Sequence, residues 1–229
     1  MPNYYPIMLD VRGRQAIVIG GDRVAAEKAA ALAASGARVS VQSQEFCAEL
    51  LAQAERNLIT LRRKAYEPDD LAGAFVVVAA VNDPELVQAI WTETQDRGQL
   101  VNIVDKPEYC SYILPSILRR DQLTVAVSTE GASPGLAKRI RQSLEEFFPP
   151  AYGTYVQLAG LARAYLRESG VSYNMRDDFF RDFFASDVLA LLIEGDVAQA
   201  ALITAALLAA YDIDVPAGVL ATTLQEEKE

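Results

Sequence analysis

Between Gln15 and Asp105 the chain alternates short β-branched runs with helical patterns, and this alternation excludes most folds. The runs QAIVIG (Gln15–Gly20), ARVSVQ (Ala37–Gln42), LITLRR (Leu58–Arg63), AFVVVAAV (Ala74–Val81) and LVNIVD (Leu100–Asp105) read as strands. Helical patterns lie at Val24–Ser35, closed by Gly36, at Glu45–Arg56, and at Pro84–Arg97 behind a cap at Asn82 or Asp83. AFVVVAAV is apolar without alternation, as a strand covered on both faces must be. The expected fold is α/β: an open, Rossmann-like parallel sheet with helices on both faces.

The pattern changes near residue 112. SYILPSILRRDQLTVAVST holds two strand-like runs around the charged turn RRDQ, with no helix between them. ASPGLAKRIRQSLEEFF then starts a helix, with Ser133 as N-cap and Pro134 at the first helical position. Its apolar face is Leu136, Ile140, Leu144 and Phe147 or Phe148. Pro149-Pro150 ends it and marks a domain boundary. Everything beyond reads as helical, including DDFFRDFFA with Phe pairs at i,i+4 and an Ala-rich segment capped by Asp196. The acidic tail LQEEKE is expected to fray.

Gly20-Gly21 follows the first strand and opens a helix, the context in which backbone N–H groups and a helix dipole hold a phosphate. The dinucleotide fingerprint would place a middle glycine at position 22, where this chain has Asp22. An ordinary βα turn with a glycine pair gives the same pattern. The second strand ends in Val41-Gln42-Ser43-Gln44, with no Asp or Glu at its tip to hold a ribose 2′-hydroxyl, although Ser43 and Gln44 are polar enough to contact one.

Composition removes whole classes of chemistry. The chain of 229 residues contains no histidine, so Ser-His-Asp and Cys-His nucleophiles and His-ligated metals are excluded. Acid–base work falls to carboxylates, Lys, Tyr or Cys. A net charge of −10 argues against nucleic acid as a partner. Cys47 and Cys110 form no metal knuckle and no disulfide framework. MPNYYPIMLDVRGR lacks a basic secretory n-region, and the apolar segment Val197–Tyr211 is shorter than the ~20 residues of a membrane span. A cytoplasmic protein with no membrane partner is the expectation.

Two places carry candidate chemistry. Asp105 ends the fifth strand, at the edge where open α/β sheets bind ligands, and a carboxylate there serves as a general base. An aspartate before Lys106-Pro107 is equally a turn former. The loop STEGAS before Pro134 gathers hydroxyls and free N–H groups, and Arg119, Arg120, Lys138, Arg139 and Arg141 make this region locally basic. It reads as a seat for a polyanion or as a solvated helix face opposing Glu145 and Glu146.

The order of these pieces resembles the precorrin-2 dehydrogenase / sirohydrochlorin ferrochelatase family, the amino-terminal module of siroheme synthase. The resemblance runs from YPIML (Tyr5–Leu9) to about residue 200. It rests on VIGGDRVAAEKAAAL, on VNIVDKPEYCSYILPS (Val101–Ser116) and on VAVSTEGASPGLAKRIR (Val125–Arg141). It implies an NAD-binding domain over 1–112, a dimerisation region over 113–148 and a helical substrate-binding domain over 149–229. It also implies oxidation of precorrin-2 to sirohydrochlorin with NAD+, in a homodimer, with Fe2+ or Co2+ insertion in some members.

The resemblance maps the family's catalytic aspartate, also its metal-site residue, onto Asp105. The nucleotide turn maps onto Gly20, Gly21, Asp22, Arg23 and Val24, with Ser43, Gln44 and Glu45 after the second strand. Tetrapyrrole contacts map onto Asn102, Ser128, Thr129, Ser133, Lys138 and Arg141. No S-adenosylmethionine site is expected. The family reads Gly-Gly-Gly at Gly20-Gly21-Asp22 and a small residue at Glu130, so both departures add negative charge near sites for anions. A metal chelatase that does not use NAD+ and a non-catalytic tetrapyrrole- or nucleotide-binding protein are the competing readings.

Overall fold

Side chains alternate across a strand, so a strand buried on both faces must be apolar at every position. The computed structural model, which describes residues 4–226, puts two such runs, Ala16–Ile19 and Val76–Ala79, at the centre of a parallel sheet. They belong to β1 (Gln15–Ile19) and β4 (Val76–Ala79). β2 (Arg38–Ser43), β3 (Thr60–Arg63) and β5 (Leu100–Ile103) complete the order β3-β2-β1-β4-β5. The expected open parallel sheet is therefore present, and β3, exposed over most of its length, is an edge. Ala16 and Val18 of β1 pack under α1 (Arg23–Ala34) and α2 (Ala48–Glu55), while Ile17 and Ile19 pack on the opposite face with α3 (Pro84–Asp96). Ala25, Ala26 and Ala29 are buried, and their small side chains seat α1 close to the sheet. Chain direction reverses its winding between β1 and β4, which makes their carboxyl ends the topological switch point.

The chain divides into two compact units, 1–114 and 115–229. Residues 115–148 of the expected dimerisation region and the expected helical domain fall in the second unit. That unit opens with an antiparallel hairpin of β6 (Ser116–Arg120) and β7 (Leu123–Val127), turning at Asp121-Gln122. α4 (Pro134–Phe147) packs on the hairpin and buries Ala137. α5 (Ala151–Glu168) begins where the hairpin turn presses on it, and Gly153 leaves the space that the Asp121 carboxylate occupies.

α6 (Tyr173–Ala185), α7 (Val188–Glu194), α8 (Val197–Ala209) and α9 (Ala217–Glu226) enclose the second core with α5. α9 carries helix three residues into the tail expected to fray. Leu220 and Leu224, one turn apart, are buried and continue the helix to Glu226, whereas residues 227–229 lie outside the described residues, as do residues 1–3 of the opening segment. The Phe pairs of α6 are the centre of this core: Phe183 stacks on Tyr155 at 5.1 Å and on Phe179 at 6.0 Å, and both phenylalanines are fully buried.

Removing such a ring leaves a cavity that the stacked neighbours cannot fill, and Phe→Ala in a core costs about 3–5 kcal/mol. Phe183→Ala is expected to lower stability by that amount in urea unfolding followed by far-UV circular dichroism. A loss under about 1 kcal/mol would mean that the aromatic cluster repacks.

Candidate functional site

The crevice at the switch point is shaped by two absent side chains. Gly20 has φ +138° and donates its N–H to the Gln42 carbonyl at 3.0 Å. A Cβ there would stand 2.6 Å from the Ala80 carbonyl oxygen, so only glycine lets β1 leave the sheet between β2 and β4. At Gly21 a Cβ would fall inside the Glu45 carbonyl and 2.6 Å from Ser43 Oγ. The Gly21 carbonyl in turn accepts the Cys47 N–H at 2.7 Å. The loop after β2 therefore closes directly on the glycine turn, bringing Ser43, Gln44 and Glu45 to Gly20, Gly21, Asp22, Arg23 and Val24.

Asp22 takes up the N-cap of α1: its Oδ1 accepts the Ala25 N–H at 2.9 Å. The carboxylate that stands where the fingerprint has glycine is committed to its own helix. Arg23 leans towards Glu27, 3.6 Å away and exposed, rather than towards Asp22. The backbone N–H groups of Gly21, Asp22, Arg23 and Val24 find no acceptor among the described residues. Four neighbouring amide donors at a helix start fit a pyrophosphate. The donor set thus suits a dinucleotide, with one helix-end amide already used by Asp22.

Two strands away, Asp105 lies on the same carboxyl edge, roughly 10 Å across the sheet at the usual strand spacing. It is exposed and sits in the left-handed region, φ +58°, in a turn closed by the Lys106 N–H to the Ile103 carbonyl at 3.2 Å. Cys110 fastens that turn. Its sulfur accepts the Ile103 N–H at 3.2 Å and lies 3.2–3.3 Å from the carbonyls of Lys106 and Ile103. Burial pushes the Cys110 thiol up, so it stays protonated and serves as a donor. Asn102 spends its amide on the Tyr112 carbonyl at 3.1 Å and, more weakly, on Cys110. Tyr109, in the 3-10 turn Pro107–Tyr109, meets Trp91 of α3 edge-on at 5.8 Å.

The second unit holds the other expected contacts. Ser128 Oγ accepts the Glu130 N–H, Thr129 Oγ1 accepts the Ser133 N–H, each at 3.0 Å, and Ser133 Oγ caps α4 at Leu136. Each hydroxyl acts as an acceptor to backbone, which leaves its own proton free for an anion. Glu130 and Gly131 both have positive φ, so the loop turns back sharply there. Arg141 pairs with Glu145 and Arg120 donates to the Phe148 carbonyl at 2.7 Å, whereas Lys138 is exposed and without an ion-pair partner among the described residues. Sequence reasoning passed over Cys110 and Arg63. Arg63 pairs in register with Ser43 and was recoverable from the strand order, whereas no spacing rule points to a thiol under a turn.

A glycine turn at the switch point of a 3-2-1-4-5 parallel sheet defines a dinucleotide-binding domain. Residues 7–116 match a family model of NAD(P)-binding domains, and residues 120–146 match the central region of sirohaem biosynthesis proteins. The chain thus matches, in order, an NAD(P)-binding domain and the central region of sirohaem biosynthesis proteins, and its curated relatives are siroheme synthases. It is 34% identical over 198 residues to the siroheme synthase of Photorhabdus laumondii, covering 86% of this chain and 42% of that protein. The siroheme synthase of Thiobacillus denitrificans is 36% identical over 198 residues, covering 86% of this chain and 41% of its own. The chain spans about two fifths of the length of these curated relatives. A solved structure of SirC, precorrin-2 dehydrogenase, superposes with a TM-score of 0.73 at 26% identity, covering 86% of this chain and 98% of that one.

Replacing Asp22 by glycine frees the Ala25 N–H and removes a charge, while glycine remains an adequate cap. Asp22→Gly is expected to bind NAD+ at least tenfold more tightly in calorimetric titration, at a cost to stability of only a few tenths of a kcal/mol. Equal affinities would mean that the capped carboxylate is invisible to the nucleotide.

Proposed function

We propose that this protein is an NAD+-dependent precorrin-2 dehydrogenase. The observation that carries the reading is the pairing, on one sheet edge, of four free amide donors at the glycine turn with the exposed carboxylate of Asp105. The similarity to siroheme synthases and the likeness to SirC suggest the substrate. Gly20, Gly21 and the amides of Asp22, Arg23 and Val24 would hold the pyrophosphate, with Ser43, Gln44 and Glu45 beside the adenosine ribose. When bound, NAD+ supplies the acceptor for two electrons and one proton.

Asp105 takes the second proton lost when the dihydro macrocycle becomes sirohydrochlorin. Its exposure lets it pass that proton to water. Cys110 and the Ile103–Lys106 turn hold its backbone in place. In the second unit, the free protons of Ser128, Thr129 and Ser133, with Lys138 and Arg141, suit the peripheral carboxylates of a tetrapyrrole. Asn102 shapes the β5 end through Tyr112. Insertion of Fe2+ or Co2+ as a substrate metal would draw on the same Asp105. No group of three His, Cys, Asp or Glu side chains converges among the described residues. The cytoplasmic expectation stays with this proposal; no helix among the described residues is long and apolar enough to cross a membrane.

Asn tolerates the left-handed region as well as Asp does, so Asp105→Asn removes the base without straining the turn. It is expected to retain NAD+ affinity and to form NADH from precorrin-2 about 10²–10⁴-fold more slowly. A near wild-type rate would reduce Asp105 to a turn residue.

The homodimer belongs to the same proposal. β6 and β7 form a sheet of two strands with open edges, and Ile117, Leu136, Ile140 and Phe147 remain 41%, 50%, 39% and 72% exposed. A second copy would cover these side chains and pair the strand edges. Sedimentation is expected to give a dimer at micromolar concentration, and Ile140→Glu a monomer that keeps its helical signal. A monomeric wild type would remove the dimer.

A further inference from the structure

We infer that the tip of β2 admits a 2′-phosphate, so that NADP+ as well as NAD+ is a ligand of this crevice, with Arg63 setting the preference. The inference rests on the dinucleotide reading above and concerns which dinucleotide. In a doubly wound sheet a carboxylate at the end of the second strand holds the ribose hydroxyls and repels a phosphate, whereas a nearby arginine accommodates one. β2 itself ends without a carboxylate, at Ser43, and the one carboxylate of the following loop is Glu45, two residues on. Gln42 is buried, and its amide is committed to the Ala65 carbonyl at 3.0 Å and to Asp70 at 2.6 Å. Ser43 follows, with its hydroxyl against the glycine turn.

Arg63 lies beside Ser43 in the parallel register, on the edge strand. Its guanidinium donates to the Gln44 carbonyl at 3.0 Å and lies over the Phe46 ring at 5.2 Å, so it is anchored at the strand tip. One of its five donors is used there. No carboxylate pairs with it among the described residues, in contrast to Lys64, which is held by Glu67 and Asp70. Of the acidic groups on the adjoining loop and helix, Glu49 is engaged: its own backbone N–H and Cys47, with the charge of Arg23, hold its carboxyl low. Glu45 is exposed, and its carbonyl, not its side chain, is the group that meets Gly21. A planar, anchored and unpaired guanidinium next to a hydroxyl is a 2′-phosphate contact, and it stands against a single loop carboxylate, Glu45.

Calorimetric titration of the full chain with NAD+ and with NADP+ tests this. The wild-type dissociation constants are expected to agree within about tenfold. Arg63→Ala should raise the ratio of the NADP+ constant to the NAD+ constant at least tenfold, and Ser43→Asp should raise it further by restoring the repelling carboxylate. Binding of NAD+ with no detectable NADP+ binding would overturn the inference while leaving the proposed function intact. An unchanged ratio in Arg63→Ala would overturn the role of Arg63. Failure of both nucleotides to bind would overturn the dehydrogenase reading and this inference together.

Discussion

The first unit depends on two places where a side chain cannot exist. At Gly20 the backbone passes so near the Ala80 carbonyl that a methyl group would separate β1 from β4, and at Gly21 the β2 loop occupies the space of a Cβ. Both contacts join neighbouring strands at their carboxyl ends. The same contacts that close the sheet therefore create the crevice, and stability and binding share one set of atoms. Asp22 extends this economy. Its carboxylate stabilises the helix whose start forms the crevice wall, at the cost of one amide.

Much of this was legible in the sequence because it follows from periodicity. Val76–Ala79 is buried on both faces, as its unbroken apolar run requires, and Ser133 and Pro134 start α4 as their chemistry dictates. Boundaries were less legible. The third strand begins at Thr60 rather than Leu58 because Asn57 turns the chain at φ +57°. The reach of α9 into the acidic tail was not legible, because its burial of Leu220 and Leu224 is a tertiary fact.

The site was legible in its residues and not in its geometry. The glycine pair, Asp105 and the serine loop could be named from their order along the chain. That Asp105 would adopt positive φ and that Cys110 would brace its turn depend on backbone conformation. Lys106 lies before Pro107 and is restricted by it, with φ −131° and ψ 69°. Asp105 makes the reversal that its neighbour cannot.

The contact between Trp91 and Tyr109 has an optical consequence. Trp91 is the chain's single tryptophan, partly buried on α3, and Tyr109 belongs to the short turn that follows Asp105. Its emission depends on the polarity around the indole and on the phenol at its edge. The protein thus carries a native chromophore beside its candidate base, and a displacement of that turn changes the fluorescence without any label.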